Sequence, residues 1–208
     1  MIGSWNVRGC NDPTKIREIR NFIIVRKLYL ICILDSKVRA LNEEKCQRKL
    51  MQQWRFYSHN VKNSTGRLWI GWDPSRCNVE ILHSSNHWIH GNVHVIQQNS
   101  RFLLTFVYGV TDLYTRRELW DFLVSTAPSA STYPWCVLGD FNAIRHPSEH
   151  GGGRIVWKVE DNEFNEACHA AGLEELNTVG CHFTWTNRRV RDPILSRLDR
   201  VLVSSCWF

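Results

Sequence analysis

No two cysteines of this chain form a C-x-x-C pair, and no Cys/His spacing has the pattern of a structural zinc site, although Cys occurs at 10, 32, 46, 77, 136, 168, 181 and 206. Several of them lie inside apolar runs, Cys32 within Leu30–Leu34 and Cys136 beside Val137. They read as small buried hydrophobes in a reducing compartment. No apolar run approaches the roughly 18 residues needed to cross a bilayer. The N-terminal Met1-Ile2-Gly3-Ser4-Trp5-Asn6 lacks the charged region and apolar stretch of a signal peptide. Internal repeats, low-complexity tracts and linkers are also missing, so one domain over residues 1–208 is the economical expectation. Together these absences point to an intracellular protein, nuclear or cytoplasmic, with no membrane partner.

What is present is a substantial core. Hydrophobic residues make up 43% of the chain and ten are Trp, which excludes disorder. The formal net charge is +6, an excess that favours a polyanionic partner. Basic residues gather at Arg17–Lys27, at Arg116-Arg117 and over Arg188–Arg200. Each such cluster reads first as a solvated face.

Along the chain, Ile2–Asn6 has the pattern of a short strand. Asp12-Pro13 opens a helix to about Val25, with Asp as cap, Pro in the first turn, and Ile16, Ile19, Ile23 and Ile24 as its apolar stripe. Leu28–Leu34 is a nearly unbroken apolar run, a buried strand ending at Asp35-Ser36-Lys37. A more polar helix follows from Asn42 to about Gln53. Candidate strands at Gly66–Trp72, Val79–Leu82, His87–Ile96 and Phe102–Tyr108 suggest an antiparallel meander. Helices are expected over Tyr114–Leu123 and Glu160–Ala171, and final strands at Phe183–Thr186 and Leu198–Val203.

The most informative stretch is Val137-Leu138-Gly139-Asp140-Phe141-Asn142-Ala143. Residues 135–138 form a short buried strand that Gly139 ends. If extended backbone continues, Asp140 and Asn142 point the same way, because strand side chains alternate. Such a carboxylate and carboxamide suit a water or divalent cation held against a phosphate. A strand followed by an Asx turn fits the same residues. Asn6, Asp35, Tyr108 and Asp140 with Asn142 all leave apolar strands, as the parts of one site built on a rigid scaffold would.

Taken in order, several motifs resemble the endonuclease/exonuclease/phosphatase (DNase-like) superfamily, and most closely the endonuclease domain of LINE-type non-LTR retrotransposons. They are Ser4-Trp5-Asn6-Val7-Arg8-Gly9, Leu34-Asp35-Ser36-Lys37-Val38, Val107-Tyr108-Gly109, Arg116-Arg117-Glu118-Leu119-Trp120, Gly139-Asp140-Phe141-Asn142 with its Gly run, Phe183-Thr184-Trp185-Thr186-Asn187 and Arg197-Leu198-Asp199-Arg200-Val201-Leu202. The resemblance implies an α/β fold, a four-layer sandwich of two mostly antiparallel sheets flanked by helices. It implies that Asn6 and Asp35 hold magnesium or manganese. Tyr108, with Thr184 and Arg8, is then expected on the phosphate, Asp140 and Asn142 on the attacking water, and Asp199 in a hydrogen-bonded orienting role. DNA is the implied partner. No obligate protein partner is evident, although family members are usually fused to a reverse transcriptase.

Two departures accompany the resemblance. Asp35 stands where the family has Glu, shorter by one methylene or about 1.5 Å of reach, whereas metal sites tolerate roughly 0.2 Å in ligand distance. The family's closing Ser-Asp-His motif does not follow Asp199 within the sequence, so a C-terminally truncated fold lacking its last strand, with a sheet edge exposed, is expected. Losing such a group costs on the order of 10² to 10⁴ in rate. His146 and His150 match no family position and read as solvated loop residues. Two functions follow: a metal-dependent DNA-nicking phosphodiesterase of impaired activity, or an inactive remnant that at most binds nucleic acid. A phosphatase for inositol phosphates or sphingolipid fits the motifs less well.

Overall fold

The computed structural model describes residues 1–59, 65–153 and 162–208. Contacts divide the chain into two compact units, Met1–Tyr108 and Gly109–Phe208.

In the first unit, β1 (Ile2–Asn6) runs parallel to β2 (Leu30–Arg39), with Ile2 opposite Leu30 and Asn6 opposite Leu34. Such a parallel pair needs a crossover, and α1 (Pro13–Val25) supplies it. The Asp12 carboxylate caps α1 by accepting from the Thr14 amide at 2.8 Å, and Pro13 occupies the first turn. Ile16, Ile19 and Ile23 are buried, whereas Ile24, expected on the same stripe, is exposed. α2 (Ala40–Leu50) starts and ends earlier than its polar pattern suggests. β3 (Arg55–Ser58), which the sequence reading does not anticipate, pairs with β4 (Thr65–Trp72), and β4 pairs with β2. The sheet order is therefore β1-β2-β4-β3, with β1 at one edge.

β5 (Cys77–Ser84), β6 (Trp88–Val95) and β7 (Ser100–Tyr108) form the expected antiparallel meander. β4 is not part of it, because its partners are β2 and β3. Alternation along β2 sorts its side chains to two faces. Ile31 and Ile33 join the α1 and α2 residues Ile16, Ile19, Ile23 and Leu50 in one core. Leu30 lies with Ile70 of β4 against Val79, Val93, Leu104 and Phe106 of the meander. Helices thus cover one face of the β1–β4 sheet, and a second set of strands covers the other.

In the second unit, α3 (Leu113–Ala130) is longer than expected and is capped by Asp112, which accepts from the Thr115 amide at 2.9 Å. β8 (Trp135–Asp140) pairs antiparallel with β13 (Asp199–Ser204), which also pairs with β10 (Leu173–Glu175). β13 is therefore flanked on both sides, and the three-residue β10 is its unanticipated neighbour. A small sheet joins β9 (His150–Gly151), β12 (Leu195–Ser196) and β11 (Trp185–Thr186). α4 (Glu163–Ala170) begins after the expected Glu160, which lies outside the described residues. Phe164 of α4 centres this core: its ring stacks 4.5 Å from Trp120 of α3 and 5.1 Å from Phe141.

Cys10, Cys32, Cys77, Cys136 and Cys168 are buried free thiols, as their apolar surroundings suggest. Burial pushes the Cys136 thiol up to about 12, which keeps it protonated and inert. No described helix is long and apolar enough to cross a membrane.

His90 on β6 is buried, and its Nδ1 lies 2.8 Å from the Thr105 hydroxyl. Burial, with a smaller contribution from His83, lowers its pKa to about 4. The unfolded chain would take up that proton near 6.5, so the folded state loses stability as pH falls from about 6.5 toward 4. His90→Gln is expected to flatten that part of a urea-midpoint-versus-pH curve. An unchanged slope would show that His90 does not carry it.

Candidate active site

Each unit places its candidate polar residues at the ends or irregularities of buried strands. In the first unit, Asn6 ends β1 directly opposite Leu34. Asp35 does not end β2, contrary to expectation: β2 continues to Arg39 through an irregularity at 35–37. Pairing resumes with Val38 opposite Gly66 after Leu34 opposite Leu68, so residues 35–37 face a single residue of β4. Asp35 and Lys37 take positive φ, 56° and 54°, which lets the bulge re-aim side chains without ending the sheet. The loop after β1 is sewn to this bulge. The amides of Val7, Gly9 and Cys10 donate to the carbonyls of Leu34, Asp35 and Ser36 at 3.0, 2.7 and 2.9 Å. Asn6 and Asp35 are consequently held next to each other in the chain fold by backbone bonds on both sides.

The Asp35 carboxylate is 8% exposed, and its Oδ2 lies 3.1 Å from Lys37 Nζ. A carboxylate that already accepts an ammonium ion, beside a carboxamide, is an oxygen-donor set suited to a hard divalent cation. The residues therefore fit magnesium or manganese. Among the described residues, no three His, Cys, Asp or Glu side chains cluster as a metal site; the expected donors, one Asn and one Asp, do not amount to such a cluster. Arg8 is exposed with φ 54°. Tyr108 ends β7 half-buried, its amide donating to the His87 carbonyl at 2.8 Å.

In the second unit, β8 runs one residue past Gly139, so Asp140 ends the strand rather than following it. Asp140 stands directly opposite Asp199 of β13. Residues so paired project to one face with Cβ atoms about 4.5–5.5 Å apart, and like charges there are unfavourable. Beyond Asp140 the backbone turns: Asn142 has φ 50° and its amide donates to Asp140 Oδ1 at 3.0 Å. This is an Asx turn, so alternation does not carry through to position 142. Both the turn and the paired carboxylate sit at the same strand exit.

Four further hydrogen bonds fix that exit. The Phe141 amide donates to the Leu198 carbonyl at 2.9 Å, and Arg116 Nη1 donates to the Asn142 carbonyl at 3.4 Å. The Gly109 amide donates to the Asp140 carbonyl at 2.5 Å, while the Gly109 carbonyl accepts from Asn142 Nδ2 at 3.4 Å. Thr184, expected on the phosphate, uses its hydroxyl oxygen to accept the amides of both Leu198 and Asp199 at 3.0 Å. In this structure it therefore shapes the entry to β13. His146 and His150 hold local structure: His146 caps the turn at Pro147–Glu149, and His150 Nδ1 lies 3.1 Å from the Ser196 hydroxyl.

The sequence reading misses a charged cluster. Arg197 and Arg200, placed there in a basic run, are not simply solvated: Arg200 is 2% exposed and pairs with Glu149 and Glu175. Glu149 lies in a segment, Ser148-Glu149-His150, whose single acid carries no periodic signal. An Arg inside the apolar alternation of Leu198–Val203 is the one hint available.

Helix-flanked sheets with carboxylates and carboxamides at strand exits define the DNase-like class of mixed α/β proteins. Solved structures share this fold. The endonuclease domain of TRAS1, a telomere-specific non-LTR retrotransposon, is 13% identical with a TM-score of 0.67, covering 97% of this chain and 84% of that one. TDP2 of D. rerio, complexed with a single-strand DNA product, is 15% identical with a TM-score of 0.69 over 97% and 82%. The AP endonuclease LMAP from Leishmania major is 14% identical with a TM-score of 0.70 over 98% and 78%. No curated protein matches the sequence. The chain belongs to the Endonuclease/Exonuclease/phosphatase family, which matches residues 3–208.

A Cβ on Gly109 would lie 2.2 Å from the Phe141 carbonyl oxygen, a backbone atom that a rotamer change cannot move. Gly109→Ala is therefore expected to cost about 1–3 kcal/mol, a fall in Tm of roughly 2–12 °C. A thermal melt indistinguishable from the parent chain would mean that the Asp140–Asn142 exit has slack there.

Proposed function

We propose that this chain is a divalent-metal-dependent phosphodiesterase that nicks DNA, and that it is of retroelement origin. Family membership supports phosphoester hydrolysis. The likeness to the TRAS1 domain supports the retroelement assignment, and the +6 charge supports a polyanionic substrate. The observation that carries the reading is Asp140 opposite Asp199, with Asn142 folded back onto Asp140. Two carboxylates held opposite each other work against stability, and a site that must take up a proton and position a water is a physical reason to keep them.

In this reading Asp140 accepts the proton of the attacking water and Asn142 orients that water. Asp199 orients the site through hydrogen bonds, and Tyr108, Arg8 and Thr184 bind the phosphate, the Thr184 oxygen also accepting the Asp199 amide. Asn6 and Asp35 would hold magnesium or manganese. Such an ion supplies electrostatic stabilisation of charge developing on phosphate oxygens.

Supercoiled plasmid is expected to be converted to the nicked form in magnesium or manganese, and Asp140→Ala to slow this by about 10²–10⁴. Nicking that survives the substitution would remove Asp140 as the base. A second reading, a nucleic-acid binder without catalysis, draws on the Lys37 ammonium resting on Asp35. DNA binding without nicking in either metal would establish it.

The β11–β12 hairpin offers the DNA contact. Asn187 Oδ1 accepts the amides of Arg189 and Ile194 at 3.1 and 3.0 Å, so a preformed loop presents Arg188, Arg189 and Arg191 to solvent. Replacing these three by Ala is expected to lower the slope of log affinity against log salt by roughly 2 to 3. An unchanged slope would place the DNA elsewhere.

A further inference from the structure

Glu149, Arg200, Glu175, Arg197 and Arg145 form an ion network in the second unit, centred on the buried Glu149–Arg200 pair, that the proposed function does not use. The Arg200 side chain is fully covered. Its Nη1 donates to Glu149 Oε1 and to Glu175 Oε2, both at 2.9 Å, and its Nη2 donates to Glu149 Oε2 and to the Arg197 carbonyl. The guanidinium carbon sits 5.7 Å from the centre of the Phe164 ring. Arg200 stands opposite Gly139 across β8–β13, so the directly paired residue brings no side chain.

Both carboxylate oxygens of Glu149 are engaged. Oε2 accepts the amides of Arg145 and His146 at 2.6 and 3.3 Å, and the Glu149 carbonyl accepts the Arg197 amide at 2.9 Å. Burial raises its pKa, but the Arg200 hydrogen bond, the two amides and the Arg200 charge outweigh this and leave the carboxyl below its ordinary value. Arg145 is tied to α4, donating from Nε to Asn165 Oδ1 and accepting from Asn165 Nδ2, each at 2.8 Å.

These bonds connect two places in the chain. One end is the segment that leaves Asn142, running through Arg145 and His146 to Glu149. The other is Leu198-Asp199-Arg200, where Asp199 faces Asp140. An ion pair this deep is an expensive way to gain stability alone, since apolar packing of the same volume often does as well. It does fix geometry, because a planar guanidinium and a carboxylate meet in one orientation.

We propose that Glu149 and Arg200 are positioning residues, whose pairing sets the Asp140–Asn142 exit against Asp199 and so fixes the water-activating geometry. This rests on the reading of Asp140, Asn142 and Asp199 as the hydrolytic group. A role confined to stability would lower Tm and leave turnover of the folded enzyme unchanged.

The test compares the parent chain with Glu149→Gln and Arg200→Lys. It uses full chain at a temperature where near-ultraviolet circular dichroism shows native folding. Two quantities are read: nicking kinetics on plasmid DNA, and hydrogen exchange at the amides of Phe141, Asn142, Arg145 and His146. The expected result is a kcat at least tenfold lower with KM within threefold. Exchange at those four amides should rise at least tenfold, while the β1 and β2 amides of the first unit stay as they were. Unchanged exchange at the four amides overturns the proposal, as does faster exchange with unchanged kcat. If the parent chain itself does not nick, the hydrolytic reading falls and exchange alone decides whether the pair positions the exit. Should Glu149→Gln fail to fold, Arg200→Lys, which keeps the charge but not the planar fork, carries both measurements.

Discussion

The register of β8 against β13 is the constraint on which the second unit depends. It is set by apolar side chains: Cys136, Val137 and Leu138 on one strand face Val203, Leu202 and Val201 on the other. Burying these residues stabilises the pair by roughly 1.5–3 kcal/mol for each large side chain removed from water. A slip of one residue would turn every side chain of β13 to the opposite face. Asp199 would then no longer share a face with Asp140, and Arg200 would leave Glu149. The chemistry proposed at the strand exit is thus held by residues that take no part in it. The like-charge pair works against the register by about 0.2–1 kcal/mol, which the apolar pairs outweigh several times over.

The first unit reaches a comparable result by another route. β1 and β2 are parallel, and their last paired residues, Asn6 and Leu34, are set by the apolar run from Leu30. The chain then needs a polar group next to Asn6 without surrendering the sheet, because Val38 must still reach the core shared with Trp69 and Leu50. A bulge meets both demands. It inserts residues 35–37 opposite one residue of β4, turns Asp35 out of the alternation, and lets pairing resume at Val38. Two left-handed residues within three positions cost on the order of 1–3 kcal/mol each. Strain of that size at a polar position beside a strand end is what a binding role would explain.

The strands with unbroken apolar runs were legible in the sequence, because burial leaves a plain signature. The crossover helix was legible in its bounds, Asp12 and Pro13 marking its start, although Ile24 of the expected stripe is exposed. The edges of the candidate site were less legible. At Asp35 and at Gly139 the residue types signal a stop, yet the strands continue, because pairing with the neighbouring strand carries on across a locally irregular backbone, with φ of 56° at Asp35 and 140° at Gly139. At Asn142 the reverse holds: the local Asx turn wins over strand alternation once β8 has no more partners. Short elements such as β3 and β10 carry too few residues to show a period. The Glu149–Arg200 pair was hard to see because its partners lie 51 positions apart, and only Arg200, set in the apolar alternation of Leu198–Val203, hinted at burial.

Two features would bear on the proposed holding of a cation at Asp35, and their sizes differ. The Lys37 ammonium competes for the carboxylate, but its side chain is 56% exposed. A pair with one end in water is screened on that side, so displacing Lys37 would cost a cation only part of what a fully buried pair would. The missing methylene acts differently. It withdraws the carboxylate by about 1.5 Å, many times the roughly 0.2 Å that a coordination bond tolerates. In the proposed reading, how directly Asp35 would serve such an ion turns on where the bulge places its backbone. The bulge is therefore the feature that decides: with φ of 56° at Asp35, it moves the carboxylate in a way that a regular strand could not. A shorter acid on a displaced backbone can reach where a longer acid on a straight one would, which is a physical reason for this unit to carry both at the same position.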